Sequence, residues 1–138
     1  MILDKFKLDG KIALVTGASV GLGQGMALAL AEAGANVACH CLADGQADET
    51  VAAIEKMGRR AVSIAGDMSD KETPKRVVAD VIAAFGRIDI LINNAGMIRR
   101  TPAVDFSEED WSTVIEVNLS SVFRISQAAG RHMIEQGG

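Results

Sequence analysis

The chain has no tyrosine among its 138 residues, so any mechanism that needs a phenol from this stretch of sequence is excluded. It is also poor in proline and cysteine, with two of each, and has one tryptophan. A long apolar run is missing too. The richest stretch is broken by Glu32, His40 and Asp44, short of the roughly 18–20 residues a membrane span needs. Met1 to Gly10 alternates charged and apolar residues, which is not the pattern of a secretory signal. Basic clusters are absent as well: 14 Lys+Arg stand against 18 Asp+Glu, a net charge of −4. That balance argues against nucleic acid as the main partner. What remains is a chain that is 49% hydrophobic and 23% charged, the composition of a globular domain expected in the cytoplasm. Its length suits one domain with a proper core.

The two cysteines, Cys39 and Cys41, are two residues apart and would share one face of a strand, with His40 on the other. Two same-face ligands with no distant Cys or His pair make a poor metal site. Reduced, buried thiols are the expected state, and no metal is expected.

Hydrophobic period alternates along the chain. Ile12–Thr16 is a short β-rich run between Gly10 and Gly17, and reads as a buried strand. Gly21–Ala33, rich in Ala, Leu and Met and followed by Gly34, reads as a helix. The same alternation continues with a strand over 37–42, a helix over 47–57, a strand over 61–65, a helix over 71–85 and a strand over 88–92. Pro74 is tolerable in the first turn of that third helix. Four strand–helix steps imply an α/β fold, a doubly wound parallel sheet covered on both faces. A last helix of about 30 residues, spanning roughly 45 Å, should begin after Ser107. That hydroxyl can cap it, and Glu108, Glu109 and Asp110 suit its first turn. Trp111, Ile115, Val122, Ile125, Ala129 and Met133 form one stripe, expected to face the sheet, and Asn118 fills a gap in it. A carboxamide there either braces a neighbouring loop or serves an active site.

Two loops carry chemistry. Gly17-Ala18-Ser19-Val20-Gly21-Leu22-Gly23 stands between the first strand and first helix. Glycines at such a turn let the backbone approach a ligand and aim helix amides at a pyrophosphate. They also serve a tight turn and close helix–sheet packing. The spacing Gly-x-x-x-Gly-x-Gly is not a Walker A loop, since no Gly-Lys-Ser/Thr follows. Asn93-Asn94-Ala95-Gly96 follows the fourth strand. In a doubly wound sheet, ligands bind beyond the strand ends where strand order reverses. The first and fourth strands should flank that point, opening both loops onto one crevice. A phospho-acceptor signalling domain of similar topology needs acids after its first strand, and Thr16-Gly17 stands there instead.

Thr16-Gly17-x-x-x-Gly21-x-Gly23, Asp67 after the third strand, Asn93-Asn94-Ala95-Gly96 and Asn118 together resemble the short-chain dehydrogenase/reductase family. The resemblance implies a Rossmann-like fold and covers the whole chain. Segments 1–3, 21–28, 98–100 and 105–107 are most similar to family members acting on deoxy-gluconate sugar acids. By that resemblance Gly17, Ser19, Gly21, Leu22 and Gly23 hold the pyrophosphate and ribose of a nicotinamide dinucleotide. Asp67 accepts from the adenine amino group, with Met68 lending backbone, although Asp67 also suits a helix cap before Ser69. Asn94, Ala95 and Gly96 line the adenosine side, and Asn118 is the catalytic asparagine of a proton-relay water. Cys41 lies beside the ribose, where NAD-binding members carry an acid.

NADP-binding members place a cation near Val20 or Leu42, and neither position has one here, so NAD is expected ahead of NADP. The family's strand serine and Tyr-x-x-x-Lys pair have no match, so the chain is expected to be the N-terminal, cofactor-binding part of the domain, inactive alone. A catalytically silent nucleotide-binding module is the competing reading. Arg99 and Arg100 are the candidates for a substrate carboxylate, because guanidinium forks match carboxylates in bidentate fashion. Either could instead pair with Asp105 or Glu109. Val114, Phe123 and Met133 widen the last helix's apolar surface, so a homo-oligomer through that helix is expected.

Overall fold

In the computed structural model, which describes residues 1–138, the four apolar stretches become parallel strands. They are β1 (Ile12–Val15), β2 (Asn36–Cys41), β3 (Ala61–Ala65) and β4 (Ile90–Ile92), in the order β3-β2-β1-β4. Leu14 pairs with Ala38 on one side and with Leu91 on the other. The chain therefore winds outward from β1 through β2 and β3, then crosses back to place β4 on β1's free side. The reversal falls between β1 and β4, and that is where a crevice opens at the carboxyl ends of the strands.

There are five α-helices, α1 (Gly21–Glu32), α2 (Asp48–Lys56), α3 (Thr73–Phe85), α4 (Glu108–Ile115) and α5 (Ser121–Glu135), and all but α4 pack onto the sheet. Strand alternation sends Val15, Val37, Cys39 and Cys41 to one face, against Ala27 and Ala31 of α1 and Ile54 of α2. Ile12, Leu14, Ala38 and Ile64 go to the other, against Val77, Val78 and Val81 of α3 and Ile125 and Ala129 of α5. Because β1 is covered on both faces, all four of its residues are buried, which is why it reads as an unbroken apolar run. Each fully buried aliphatic side chain here contributes about 1.5–3 kcal/mol of transfer free energy. Pro74 sits in the first turn of α3, and that helix ends at Gly86. Gly86 takes φ +82°, a left-handed conformation that glycine adopts without strain.

Two carboxamides pin the α4–α5 arm to the sheet. Gln136, just past α5, accepts from the Ile88 amide and donates to its carbonyl, both at 2.9 Å. Asn118 does the same to Met97, both at 2.8 Å. Both ends of the β4 segment are thus held by paired bonds. At the foot of β4, Asp89 accepts from the Ile12 amide and from Arg87. The Arg87 guanidinium holds its carboxyl below the usual range, against the opposing effect of burial.

Two expectations are corrected, and one element is additional. The last helix is not uniform: residues Glu116–Ser120 form a π turn between α4 and α5. Its wider winding rotates the helix face, so the stripe does not run through to Trp111, which is 63% exposed. β4 begins at Ile90: the Ile88 amide and carbonyl are spent on Gln136, and Asp89 meets β1 through its amide, bonded to the Ile12 carbonyl, and through its carboxylate, which takes the Ile12 amide in place of a main-chain acceptor. A short 3-10 helix at Ile2–Phe6, with no buried residue, precedes the sheet and was not anticipated.

Candidate functional site

Beyond the carboxyl ends of the strands lies a cavity of about 480 Å³, within the range typical of ligand pockets. The glycine loop forms one wall with Gly17, Ser19 and Val20, and the end of β2 contributes His40, Cys41 and Leu42. The β3 loop adds Asp67 and Met68, and the β4 loop adds Asn94, Ala95, Gly96 and Arg99. Nine of the residues expected from sequence therefore share one cavity. Gly21, Leu22, Gly23, Asn118 and Arg100 are not among its lining residues.

The glycines divide by task. Gly21 has φ +60° and no atom within 4 Å of where a side chain would start, so it turns the chain in open space. Gly23 is a packing glycine. A methyl group there would stand 1.9 Å from the Gly17 carbonyl oxygen and 2.5 Å from Asn94 Nδ2. No side chain caps the N-terminus of α1, and no acid lies in its first turn. Its leading amides and the positive end of the helix dipole therefore have no partner from a side chain.

The β4 loop is locked to the glycine loop by residues 16 and 94. Thr16 Oγ1 accepts from the Asn94 amide at 3.0 Å and the Ala95 amide at 2.9 Å, and donates to the Ile92 carbonyl. Asn94 Nδ2 donates to the carbonyls of Thr16 and Gly17, at 3.1 and 3.0 Å. The Asn94 side chain thus spends its donors on loop shape. The Gly17 amide is likewise spent, on His40 Nδ1 at 3.1 Å. Neither His40 nor Thr16 had been given a role from sequence, since every bond involved joins residues 23 or more positions apart.

Asp67 Oδ1 accepts from the Ser69 amide at 2.9 Å and the Ser69 hydroxyl at 2.8 Å. Those two bonds hold its carboxyl below the usual range, so it is an anion at neutral pH. One oxygen makes the turn, and Oδ2 has no hydrogen bond within the chain. Cys39 and Cys41 are free thiols on the α1/α2 face. Burial, with Cys41 adding to it, pushes the Cys39 thiol up to about 12, which makes it inert. Asn118 is exposed and stands in the π turn, both polar atoms engaged by Met97. Ser121 Oγ donates to the Val117 carbonyl at 2.6 Å and Arg124 pairs with Glu116, so this irregular turn is braced from α5. π turns of this kind are frequent at functional sites.

Arg99 is the only Lys or Arg lining the cavity, and Asp110 lies 3.5 Å from its Nε. Arg100 is exposed and has no ion pair. Val20, Cys41, Leu42 and Gln46 also line the cavity, with no cation among them.

Comparison with known proteins matches this architecture. The family model described as short chain dehydrogenase matches residues 11–138. The 2-dehydro-3-deoxy-D-gluconate 5-dehydrogenase of Dickeya dadantii is 46% identical over 137 residues, 99% of this chain and 53% of the relative. A short-chain type dehydrogenase/reductase from Mycobacterium marinum superposes with a TM-score of 0.94 at 35% identity, over 99% of this chain and 56% of that one. A short chain dehydrogenase from Burkholderia cenocepacia, solved in complex with NADP, gives 0.88 at 42% identity, over 91% and 52%. The chain spans about half the length of the curated relatives it matches.

Proposed function

The chain belongs to the short-chain dehydrogenase family, and from that premise we propose that it binds NAD and serves an oxidoreductase interconverting a hydroxyl and a keto group on a sugar acid. The observation that carries this reading is the convergence of the glycine loop, Asp67 and Asn94-Ala95-Gly96 on one cavity under an uncapped helix N-terminus. When bound, the nicotinamide supplies a hydride acceptor or donor. The chain's own residues bind and orient. Amides from Ser19 to Gly23 face the pyrophosphate, with Gly17 and Gly23 setting the course of the loop. Asp67 accepts from the adenine amino group, beside the Met68 backbone, and Cys41 lies along the ribose. Asn94, Ala95 and Gly96 form the opposite wall. Because Asn118 spends its side chain on Met97, it positions the β4 loop, and a proton-relay contact falls to its main chain.

NAD is favoured over NADP because the cavity near Val20 and Leu42 carries no cation to meet a 2′-phosphate. The Burkholderia relative holds NADP, so titration of both cofactors by calorimetry is the direct test. Tighter binding of NAD is expected, and equal or tighter binding of NADP would reverse the assignment.

The sugar-acid substrate is supported by the Dickeya relative's name and by the arginines. Arg99 is the stronger of the pair for a carboxylate, since it lines the cavity, whereas Arg100 serves the outer rim. In the active protein, Arg99→Ala should raise KM for an acidic sugar about tenfold, the loss of one charge-assisted bond. Arg100→Ala should raise it less. Unchanged KM in both variants would remove the carboxylate assignment. A homo-oligomer through the α4–α5 arm is supported by Trp111, Leu119 and Phe123, each more than 60% exposed. Light scattering tests it, and a stable monomer at micromolar concentration counts against it.

One observation favours a second reading, a nucleotide-binding module without turnover: these 138 residues offer no phenol to exchange the proton. Both readings require cofactor binding, and they part at turnover with an added sugar acid.

A further inference from the structure

His40 is a buried titratable side chain that the proposed function leaves without a task. It is 3% exposed and lies beneath the glycine loop, on the cavity wall. Three bonds converge on it. Its backbone carbonyl accepts from the Ala18 amide at 2.8 Å. The Gly17 amide donates to Nδ1 at 3.1 Å, and Nε2 lies 2.8 Å from the Gly66 carbonyl oxygen. An amide only donates and a carbonyl only accepts, so these partners select one form of the ring, neutral with its proton on Nε2. An imidazolium would turn N–H against N–H at Gly17.

We infer that His40 is a positioning residue for the dinucleotide: its neutral ring ties the glycine loop to the loop bearing Asp67, and acid unties them. The inference rests on the nicotinamide reading above. Through Gly17 the ring sets where the loop leaves β1, and through Gly66 it sets the residue that precedes Asp67. It thereby fixes the spacing between the pyrophosphate wall and the adenine wall without touching either group.

The charges around the ring support this. Arg76 of α3 lies nearby, engaged with Asp80 and the Ala65 carbonyl. Asp67 turns one oxygen toward Ser69, and Cys39 and Cys41 stand on the opposite face of β2. Burial first, opposed by the Gly66 bond and aided by Arg76, holds the ring's pKa below the ordinary histidine value. A folded-state pKa lower than the unfolded one makes the tie fully present above about pH 6.5. Its contribution is lost as pH falls below that value toward the folded-state pKa.

The test compares the unsubstituted chain with His40→Asn and His40→Leu, reading NAD affinity by calorimetry from pH 8 to pH 5 and folding by thermal melts. Asn Oδ1 replaces Nδ1 as acceptor for the Gly17 amide but gives up the Gly66 bond, so His40→Asn should bind about threefold more weakly than the original at pH 7.5, whereas Leu breaks both bonds, leaves that amide unpaired and should weaken binding about tenfold. Toward the acid end of that range the original should lose affinity while His40→Asn stays flat. A folded His40→Leu with undiminished affinity would overturn the inference. So would one acid profile shared by the original and His40→Asn, a comparison that holds even if His40→Leu does not fold. Absence of NAD and NADP binding by the original at every pH would instead remove the nicotinamide reading and this inference with it.

Discussion

The N-termini of α1 and α4 pose the same backbone problem, and the chain answers it in opposite ways. Each leaves leading amides without intrahelical partners and carries the positive end of a helix dipole. At α4, Ser107 Oγ accepts from the Asp110 amide at 3.0 Å, and Glu108, Glu109 and Asp110 supply negative charge. At α1, Val20 stands in the cap position, no side chain bonds the amides, and the first turn holds no acid. The other three helices are uncapped as well, but α2 has Asp48 and Glu49 in its first turn, α3 has Pro74, which removes a donor, and α5 runs on from the π turn with its Ser121 amide already bonded to the Glu116 carbonyl. Only α1 lacks every such compensation, and the loop leading into it lines the cavity. An end satisfied by its own side chains contributes stability. An end left open trades some of that stability for affinity toward an outside anion.

The comparison is broken hardest at Gly23. In Gly23→Ala the new methyl meets the Gly17 carbonyl at 1.9 Å, and backbone cannot yield as a flexible side chain would. About 3 kcal/mol of stability should be lost, with dinucleotide affinity below detection, measured by denaturant melts and calorimetry. Gly21→Ala should be milder. Its methyl enters open space, and only the positive φ is penalised, at about 1–2 kcal/mol. Equal losses at the two positions would mean that loop conformation, and not packing under Gly17, governs this end.

Much of this architecture is legible in sequence because its signals are local. Parallel strands buried on both faces leave continuous apolar runs, as in Ile12–Val15, and glycine marks the turns between periods. The positions of the glycine loop and Asn94-Ala95-Gly96 followed from strand order, which the alternation of periods implies. The contacts that shape the cavity were not legible. His40 to Gly17, Thr16 to Ala95 and Asn118 to Met97 join residues 21 to 79 positions apart, and nothing local announces such pairs. The π turn was missed for another reason. Projecting one 3.6-residue period from Trp111 to Met133 assumes constant winding, and a wider turn at Glu116–Ser120 shifts the phase on its N-terminal side. Trp111 therefore left the stripe.

Thr16→Val sharpens the comparison at intermediate cost. The substitution keeps shape but removes the oxygen that accepts from both Asn94 and Ala95 amides. Orphaning these partly buried donors should cost about 2 kcal/mol. Because the β4 loop would be released from the glycine loop, affinity for the dinucleotide should fall together with stability. A variant equally destabilised but with full affinity would show that the two walls need not be tied for binding.

The smallest expected effect comes from the other end. Ser107→Ala removes the cap of α4 and leaves the Asp110 amide to solvent, at about 1 kcal/mol and a melting temperature lower by about 4 °C. Glu108, Glu109 and Asp110 still face the dipole, which keeps the loss small. Dinucleotide affinity should be unchanged, because neither Ser107 nor Asp110 lines the cavity. α4 meets the cavity directly through Thr113 and indirectly through Asp110, which lies 3.5 Å from Arg99, so fraying of α4 would free that guanidinium. KM for an acidic sugar in the active protein would then move while NAD affinity stayed fixed. If Ser107→Ala instead weakens NAD binding as much as Gly21→Ala does, the two helix ends are not separate in function. The contrast between a capped structural end and an open binding end would then fail.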